Sequence, residues 1–414
     1  MKLEKTDPKI YQLIAKEIDR QKKGIGLIAS ENYASLAVLE AMGNPLNNKY
    51  SEGYPSKRYY GGNEFIDEIE SIAIKRAKQL FKAEHANVQS HSGSQANAAV
   101  YLALLKPGDK ILGFDLNSGG HLTHGSPVNF SGKFYQFQHY GVEKKTEMLD
   151  FDEIRKKVLK FKPKLIIAST TAYSRIIDFR KFREIANEVN AYLMADVAHI
   201  AGLIVSDLHP HPFPHCDVVT STTHKTLRGP RGALILSKNE LAEVIDKAVF
   251  PGNQGGPFEH VIAAKAVCFA EAMTESFKEY QEMVILNAKA MADEFQKQGI
   301  RVVSRGTDNH LFVIDISPFQ ISSKKIQEEL ENVRIYVNRN TIPFDQKSPF
   351  DPSGIRIGSP SIATRGMGEQ ESRKIVCLIV KLIKNFYNQD VKNNIEKEVE
   401  HLCEKFPIYE DLNW

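Results

Sequence analysis

At 414 residues, with 42% hydrophobic and 25% charged side chains, the chain is long enough for two domains and has ordinary globular composition, which excludes disordered and fibrous classes. Its 54 basic and 51 acidic residues leave a formal charge of +3, so bulk electrostatics make no case for nucleic acid or an anionic membrane, and any anion site must be local. Cys216, Cys268, Cys377 and Cys403 lie far apart with no C-x-x-C pair, which suits reduced intracellular thiols better than a disulfide framework.

The opening MKLEKTDPKI mixes acids and bases and reads as neither a signal nor a transit peptide; no apolar run approaches membrane-spanning length, and a cytoplasmic location is expected. In residues 7–22 an Asp-Pro start precedes Ile10, Leu13, Ile14 and Ile18 at helical spacing, which predicts an amphipathic arm that needs a surface to lie against. GIGLIASENYAS then reads as a short apolar strand running into Ser30, Glu31 and Asn32, a polar cluster able to cap the helix carrying Leu36, Val38 and Leu39. YSEGYPSKRYYGG, from Tyr50 to Gly62, holds four tyrosines, Glu52, Lys57, Arg58 and three glycines; it suits a binding loop or an oligomer contact equally.

After a helix over about 64–81, ANVQSHSGSQANAAVYLALL predicts a strand, the small residues Ser92, Gly93 and Ser94, and a helix whose free N–H groups can cup a phosphate, or simply a Ser-rich helix cap. The chain has neither a P-loop nor a G-x-G-x-x-G fingerprint, so a nucleotide is not the natural guest. A strand at KILGF leads into a long Gly/Ser/His loop with His121 and His124, where an imidazole can stack on a flat ring or fill space.

From Asp152 strands and helices alternate, which predicts a parallel α/β sheet with right-handed crossovers. RKKVLKFKPK reads as a solvated helix face, and HPHPFPHC as a surface turn, its three prolines and irregular spacing arguing against a metal site. The apolar run of AYLMADVAH ends at Asp196, with His199 three residues on. Another strand carries Val218 and Val219 through Thr220, Ser221, Thr222 and Thr223 to His224 and Lys225 before a Gly-Pro turn. A lysine there, crowded by His224, Arg228 and Arg231, would have its amine form favoured, as Schiff-base chemistry requires, although taken alone it reads more readily as one more solvated loop lysine among the 54 basic residues. Parallel sheets bind ligands at the carboxyl ends of their strands, so Asp196 and Lys225 should open onto one crevice. A carboxylate for a ring nitrogen, a lysine for an aldehyde and a helix start for a phosphate are the requirements of pyridoxal phosphate.

Beyond the Gly-rich turn VFPGNQGGP, a long helical pattern over about 258–298 includes Met283, Leu286 and Met291. Mixed strands and helices follow, with a strand around Arg356. The expected division is an arm over 1–25, a large domain over 26–280 and a smaller α+β domain over 281–414.

The segments IASEN, KYSEGYPSKRYYGG, HSGSQAN, GGHLTHGSPVNFSGK, ADVAHIAGL, STTHKTLRGPRG, PGNQGGP and SGIRIGSP, in this order over essentially the whole chain, resemble the serine hydroxymethyltransferases of the fold-type-I pyridoxal phosphate superfamily. The resemblance implies an α/β fold with a mostly parallel central sheet, and reversible transfer of the serine hydroxymethyl carbon to tetrahydrofolate. It implies that Lys225 holds the cofactor aldehyde, Asp196 pairs with the ring nitrogen, His121 stacks on the ring, and His199 and Thr171 lie near it. Gly93 and Ser94 would bind the phosphate with Tyr50 and Gly256 of a neighbouring subunit, in a homodimer or in a tetramer made of two such dimers. Arg356 and Ser30 would take the substrate carboxylate; Glu52, Tyr59 and Tyr60 would surround the hydroxymethyl group; Thr222, Thr223, His224 and Arg231 would tune the lysine linkage. Folate contacts would fall at Leu116, Gly120, Leu122 and Asn340, and no metal is implied. Ser90, Thr170, Thr171 and Ser56 depart from the residues usual in the family, and none of these changes removes a catalytic side chain. Two other functions compete with this one: a folate-independent pyridoxal phosphate aldolase or transaminase, against which Glu52 and its tyrosine loop discriminate, and an RNA-binding module, which the near-neutral charge disfavours.

Overall fold

The computed structural model describes residues 2–412. The chain forms two compact units, Asn32–Glu282 and, separately, Met1–Glu31 with Met283–Trp414. The expected division left residues 1–25 as an arm and began the large domain at residue 26. The difference has a backbone cause: β1 (Ile25–Gly26) pairs in parallel with a late strand, Ile335–Tyr336, through Ile25 N–H to Arg334 O (2.9 Å) and Leu27 N–H to Tyr336 O (2.8 Å).

In chain order the strands that follow are β2 (Gly53–Tyr54), β3 (Lys57–Arg58), β4 (His85–Asn87), β5 (Lys110–Phe114), β6 (Gln136–Tyr140), β7 (Leu165–Ser169), β8 (Tyr192–Asp196), β9 (Val218–Thr222) and β10 (Ala233–Ser237). All but β2 and β3, which form a small hairpin, join one seven-stranded sheet in the order β4-β10-β9-β8-β7-β5-β6. The β9-β8-β7-β5-β6 run is parallel, while β10 is antiparallel to both β9 and β4. Both faces are dry. Ile111, Leu165, Ile167, Met194, Val218 and Ile235 pack with the helices Gly93–Leu104 and Ala242–Val249, and their alternates Leu112, Ile166, Leu193, Val219 and Leu234 are equally buried. Burial on both faces is why these strands read as unbroken apolar runs. The parallel register places the ends of β5, β7, β8 and β9, and the loops that follow them, on a single edge.

In the other unit β11 (Leu311–Asp315), β12 (Ile335–Tyr336), β13 (Asn338–Asn340) and β14 (Gly354–Gly358) complete the set; β11-β14-β13 is an antiparallel sheet. Phe312, Ile314, Ile355 and Ile357 bury against Ile375, Ile379 and Ile383 of the helix Glu369–Lys384.

Three local expectations change. The helix starting at Leu36 is capped by Ser35, whose hydroxyl accepts from Val38 N–H, and not by Ser30. The helical pattern over 258–298 is two helices, Glu259–Ala272 and Glu275–Lys297, because the Thr274 hydroxyl accepts from Phe277 N–H and starts a new helix; Leu286 is exposed. The HPHPFPHC turn is not wholly at the surface: His209 and Cys216 are buried, and the His209 ring accepts Ile177 N–H. No helix of the described residues is long and apolar enough to cross a membrane.

Candidate active site

Asp196 ends β8, where the chain leaves the sheet. Its Oδ2 accepts from Asn97 Nδ2 at 2.9 Å and lies 3.1 Å from His124 Nε2, and its Oδ1 accepts from Ala198 N–H at 3.2 Å. The His124 Nδ1 accepts the His121 N–H at 3.1 Å, so its ring proton sits on Nε2 and is donated to Asp196. Burial alone would raise the Asp196 pKa; the His124 hydrogen bond, the nearby His121 ring and the Asn97 amide outweigh it and hold the carboxyl well below the usual range. Asn97 is itself oriented by the Thr220 hydroxyl, which donates to its Oδ1 at 2.7 Å. The result is an ionised carboxylate on the sheet edge.

Lys225 follows β9 by three residues in a tight turn. Its carbonyl accepts from Arg228 N–H at 3.1 Å and from Asn32 Nδ2 at 3.0 Å, and Asn32 also donates to the Tyr280 hydroxyl. The Thr226 hydroxyl donates to His199 O at 2.9 Å, tying this turn to the one after β8. Thr223 closes the other side, its hydroxyl donating to Pro230 O at 2.6 Å and its N–H to Gly232 O. His224 is pushed down to about 3 by burial and then by Lys225 and Arg231, so its imidazole is neutral.

The helix Gly93–Leu104 begins beside Thr222: a Cβ on Gly93 would lie 2.8 Å from Thr222 Cγ2, so only glycine lets the helix start come this close to β9. Ser92 caps it by accepting from Gln95 N–H, which leaves the first N–H groups, at Gly93 and Ser94, without an intrahelical acceptor. In the loop after β5 the His121 Nδ1 lies 2.7 Å from the Thr123 hydroxyl, which also accepts from Asn97. Thr171 N–H donates to Gly119 O at 2.9 Å, so the loops after β5 and β7 are joined. Gly120 is buried, while Leu116 and Leu122 are exposed on that same loop.

In the tyrosine loop, the Tyr50 and Tyr60 rings meet edge to face at 5.0 Å, and Tyr50 Oη lies 3.4 Å from Glu52 Oε1. Tyr50 lies against Gly256 and Glu52 against Gly255, with Cβ positions on those glycines falling 3.4 Å from Tyr50 Cζ and 3.2 Å from Glu52 Oε1. Tyr50, Tyr59 and Tyr60 are exposed. Ser56, one of the departures noted above, has φ of 64°, the left-handed region that favours glycine.

The other unit carries a second cluster. Arg356 is buried on β14, its Nε donating to Asn338 Oδ1 at 3.1 Å, and burial pushes its pKa down to about 10, which leaves it charged at neutral pH. Ser30 follows the segment that lies along the end of β14, where Leu27 O accepts Gly358 N–H at 2.8 Å. Asn340 lies on β13 opposite Gly354.

The set suits pyridoxal phosphate in each of its three demands: an ionised carboxylate at a strand end, a lysine on the next strand's loop, and a glycine-opened helix start beside them. Sequence reasoning missed the work of Asn97 and His124. Asn97 falls inside HSGSQAN, and four-residue spacing from Gly93 on a helix was the available signal; His124 had none.

A family model described as serine hydroxymethyltransferase matches residues 3–379. Among curated proteins, the serine hydroxymethyltransferase of Nostoc sp. (strain PCC 7120 / SAG 25.82 / UTEX 2576) is 56% identical over 411 residues, covering 99% of this chain and 96% of the relative. That of Prochlorococcus marinus (strain NATL1A) is 57% identical over 408 residues, covering 98% and 99%. With matches of this extent, and a carboxylate, lysine and helix start on one sheet edge, the chain belongs to the serine hydroxymethyltransferase family.

Proposed function

We propose that the chain transfers the hydroxymethyl carbon of serine reversibly to tetrahydrofolate, giving glycine and 5,10-methylenetetrahydrofolate, with pyridoxal phosphate as its cofactor. The observation that carries this reading is the ionised Asp196 on the same sheet edge as Lys225. When bound, the cofactor supplies a conjugated sink for the electron pair left at the substrate Cα.

Lys225 offers the amine for the cofactor aldehyde, Asp196 keeps the ring nitrogen protonated, and His121 covers the ring face. Thr171 and His199 line the ring, while Gly93 and Ser94 take the phosphate. The neutral His224, with Thr222, Thr223 and Arg231, sets the electrostatics around the lysine. Arg356 binds the serine carboxylate with a planar fork of donors, beside Ser30. Glu52 takes the proton from the hydroxymethyl oxygen and later returns it to the hydroxyl that departs as water, with Tyr59 and Tyr60 around it. Leu116, Gly120, Leu122 and Asn340 are the folate contacts in this reading. Tyr50 and Gly256 complete a neighbour's phosphate site, so the enzyme is a homodimer.

The test is glycine formation from serine with and without tetrahydrofolate, in wild type and in Glu52→Gln. Folate-dependent turnover should fall by roughly 10²–10⁴-fold in the variant, the range of general acid–base catalysis, with cofactor binding intact. Wild-type-like folate-dependent turnover in Glu52→Gln would refute the role of Glu52, and serine cleavage equally fast without folate would favour an aldolase.

A further inference from the structure

Glu52 sits in a hairpin whose backbone is held from beneath by buried charge. Gly53 has φ of 99°, and the two carbonyls flanking Glu52, those of Ser51 and Gly53, accept from Arg58 Nη1 at 2.9 and 3.0 Å. Arg58 is in turn fixed by Asp67 (2.8 Å) and Glu70 (2.5 Å), and Gln89 bridges Gly53 O and Glu70. These contacts set the height of the hairpin. Through Gln89 they also reach the glycine turn, since the Gln89 carbonyl accepts from Gln254 Nε2 at 2.8 Å, but none of them runs through the side chain of the residue that precedes Glu52.

A direct side-chain tie is made by Ser51, next to Glu52 in sequence, and Glu259, which opens the helix Glu259–Ala272 just after Gly255 and Gly256. The Ser51 hydroxyl donates to Glu259 Oε1 at 2.5 Å, both residues are at most 1% exposed, and Glu259 Oε2 is buried with no hydrogen-bond partner among the described residues. A buried carboxyl with one oxygen unpartnered is an expensive way to fill space. The contact spans 208 residues and joins the backbone beside Glu52 to the segment its side chain lies against. The pair requires an acceptor at Glu259 and no charge, and burial pushes the Glu259 pKa up to about 7, toward the neutral form.

We propose that Glu259 is a positioning residue: through Ser51 it fixes the tyrosine loop on the glycine turn and so places the Glu52 carboxyl for proton transfer. The proposal rests on the reading of Glu52 as the proton-transfer group. A displacement of about 1 Å of a reacting group costs up to about 10²-fold in rate, so the tether should act on kcat and leave serine KM nearly unchanged.

The test uses the holoenzyme with four variants: Glu259→Gln, the paired Ser51→Ala/Glu259→Leu, Glu52→Gln, and the last two combined. Removing both members of a buried hydrogen bond for apolar groups of similar shape is nearly neutral for folding, which separates tether from stability. The paired variant should keep its melting temperature and serine KM while kcat falls tenfold or more, and Glu259→Gln should keep most of the rate. Added to Glu52→Gln, the paired change should cost nothing further, because its effect passes through Glu52. Wild-type kcat in the paired variant, an equal loss in Glu259→Gln, or a full additional loss on the Glu52→Gln background overturns the tether. Wild-type turnover in Glu52→Gln itself instead overturns the reading of Glu52, and the two failures are told apart by that single comparison.

Discussion

Two buried carboxyl groups of the large unit are driven in opposite directions, and their hydrogen-bond partners decide which way. Asp196 has His124, Asn97 and the Ala198 N–H, and stays ionised; Glu259 has Ser51 on one oxygen and, among the described residues, no partner on the other, and rises to about 7. Besides Ser51, the groups acting on Glu259 are Glu70 and Asp67, which raise it, and Arg58, which lowers it; Lys265, which donates to the Val88, Ser90 and Ala233 carbonyls and is influenced by Glu259, is itself pushed down to about 7 by burial. A carboxyl whose pKa is higher folded than unfolded contributes stability that is complete below the unfolded value near 4.5 and is lost as pH rises through about 7. Wild type should therefore lose roughly 2 kcal/mol relative to Glu259→Gln between about pH 5.5 and about pH 8.5, read from chemical unfolding at each pH. Equal slopes for the two proteins would show that Glu259 does not titrate in this window. Asp196 was legible in the sequence because an apolar run ends on it. His124 and Glu259 were not, because their partners lie 72 and 208 residues away and no local periodicity encodes such a pairing.

At the scale of elements, the parallel strands were readable because burial on both faces leaves unbroken apolar runs, and their register then fixed which residues share an edge. Short elements were not. β1 has two residues, and its partner β12 is 310 positions away, so neither periodicity nor turn chemistry announces the pair. The helix break at Thr274 was hidden because one hydroxyl, not a Gly or Pro, makes it. One buried side chain holds the β1 end of the chain in place: Arg365 Nη2 donates to the carbonyls of Gln21 (2.5 Å), Lys22 (2.9 Å) and Gly24 (3.0 Å), and Nη1 to Phe406 O (2.8 Å). It thus caps the helix Pro8–Lys23 with a cation at its carbonyl end. Arg365→Leu would strand those buried acceptors and should cost about 3 kcal/mol in chemical unfolding, with protease cleavage appearing first within residues 2–23. Cleavage that begins elsewhere at unchanged stability would mean the N-terminal helix is held by other contacts.

The whole molecule carries more exposed aromatic surface than one chain in water explains. Tyr50, Tyr59, Phe65 and Phe258 are 55%, 75%, 68% and 48% exposed, and they fall in the tyrosine loop, the first turn of the helix Glu64–Phe81 and the residue before the helix Glu259–Ala272. Aromatic enrichment around a polar, glycine-rich surface is the composition of a protein interface, and burying these rings against a second copy would remove that apolar area from water. The helix Pro8–Lys23 adds to the case, since Ile10 and Leu13 are exposed and none of its residues is buried within the chain. The aromatic surface of the large unit holds Tyr50, Glu52 and Gly256, so association and catalysis should fail together. Sedimentation at assay concentration should give a dimer, and Phe65→Asp, which puts a charge where a ring would be buried, should shift it to monomer. Folate-dependent turnover in that variant should fall in proportion to the monomer fraction and recover as protein concentration rises. A wild-type protein that sediments as a monomer with full turnover would show that each chain completes its own site, and that Tyr50 and Gly256 serve the chain that carries them.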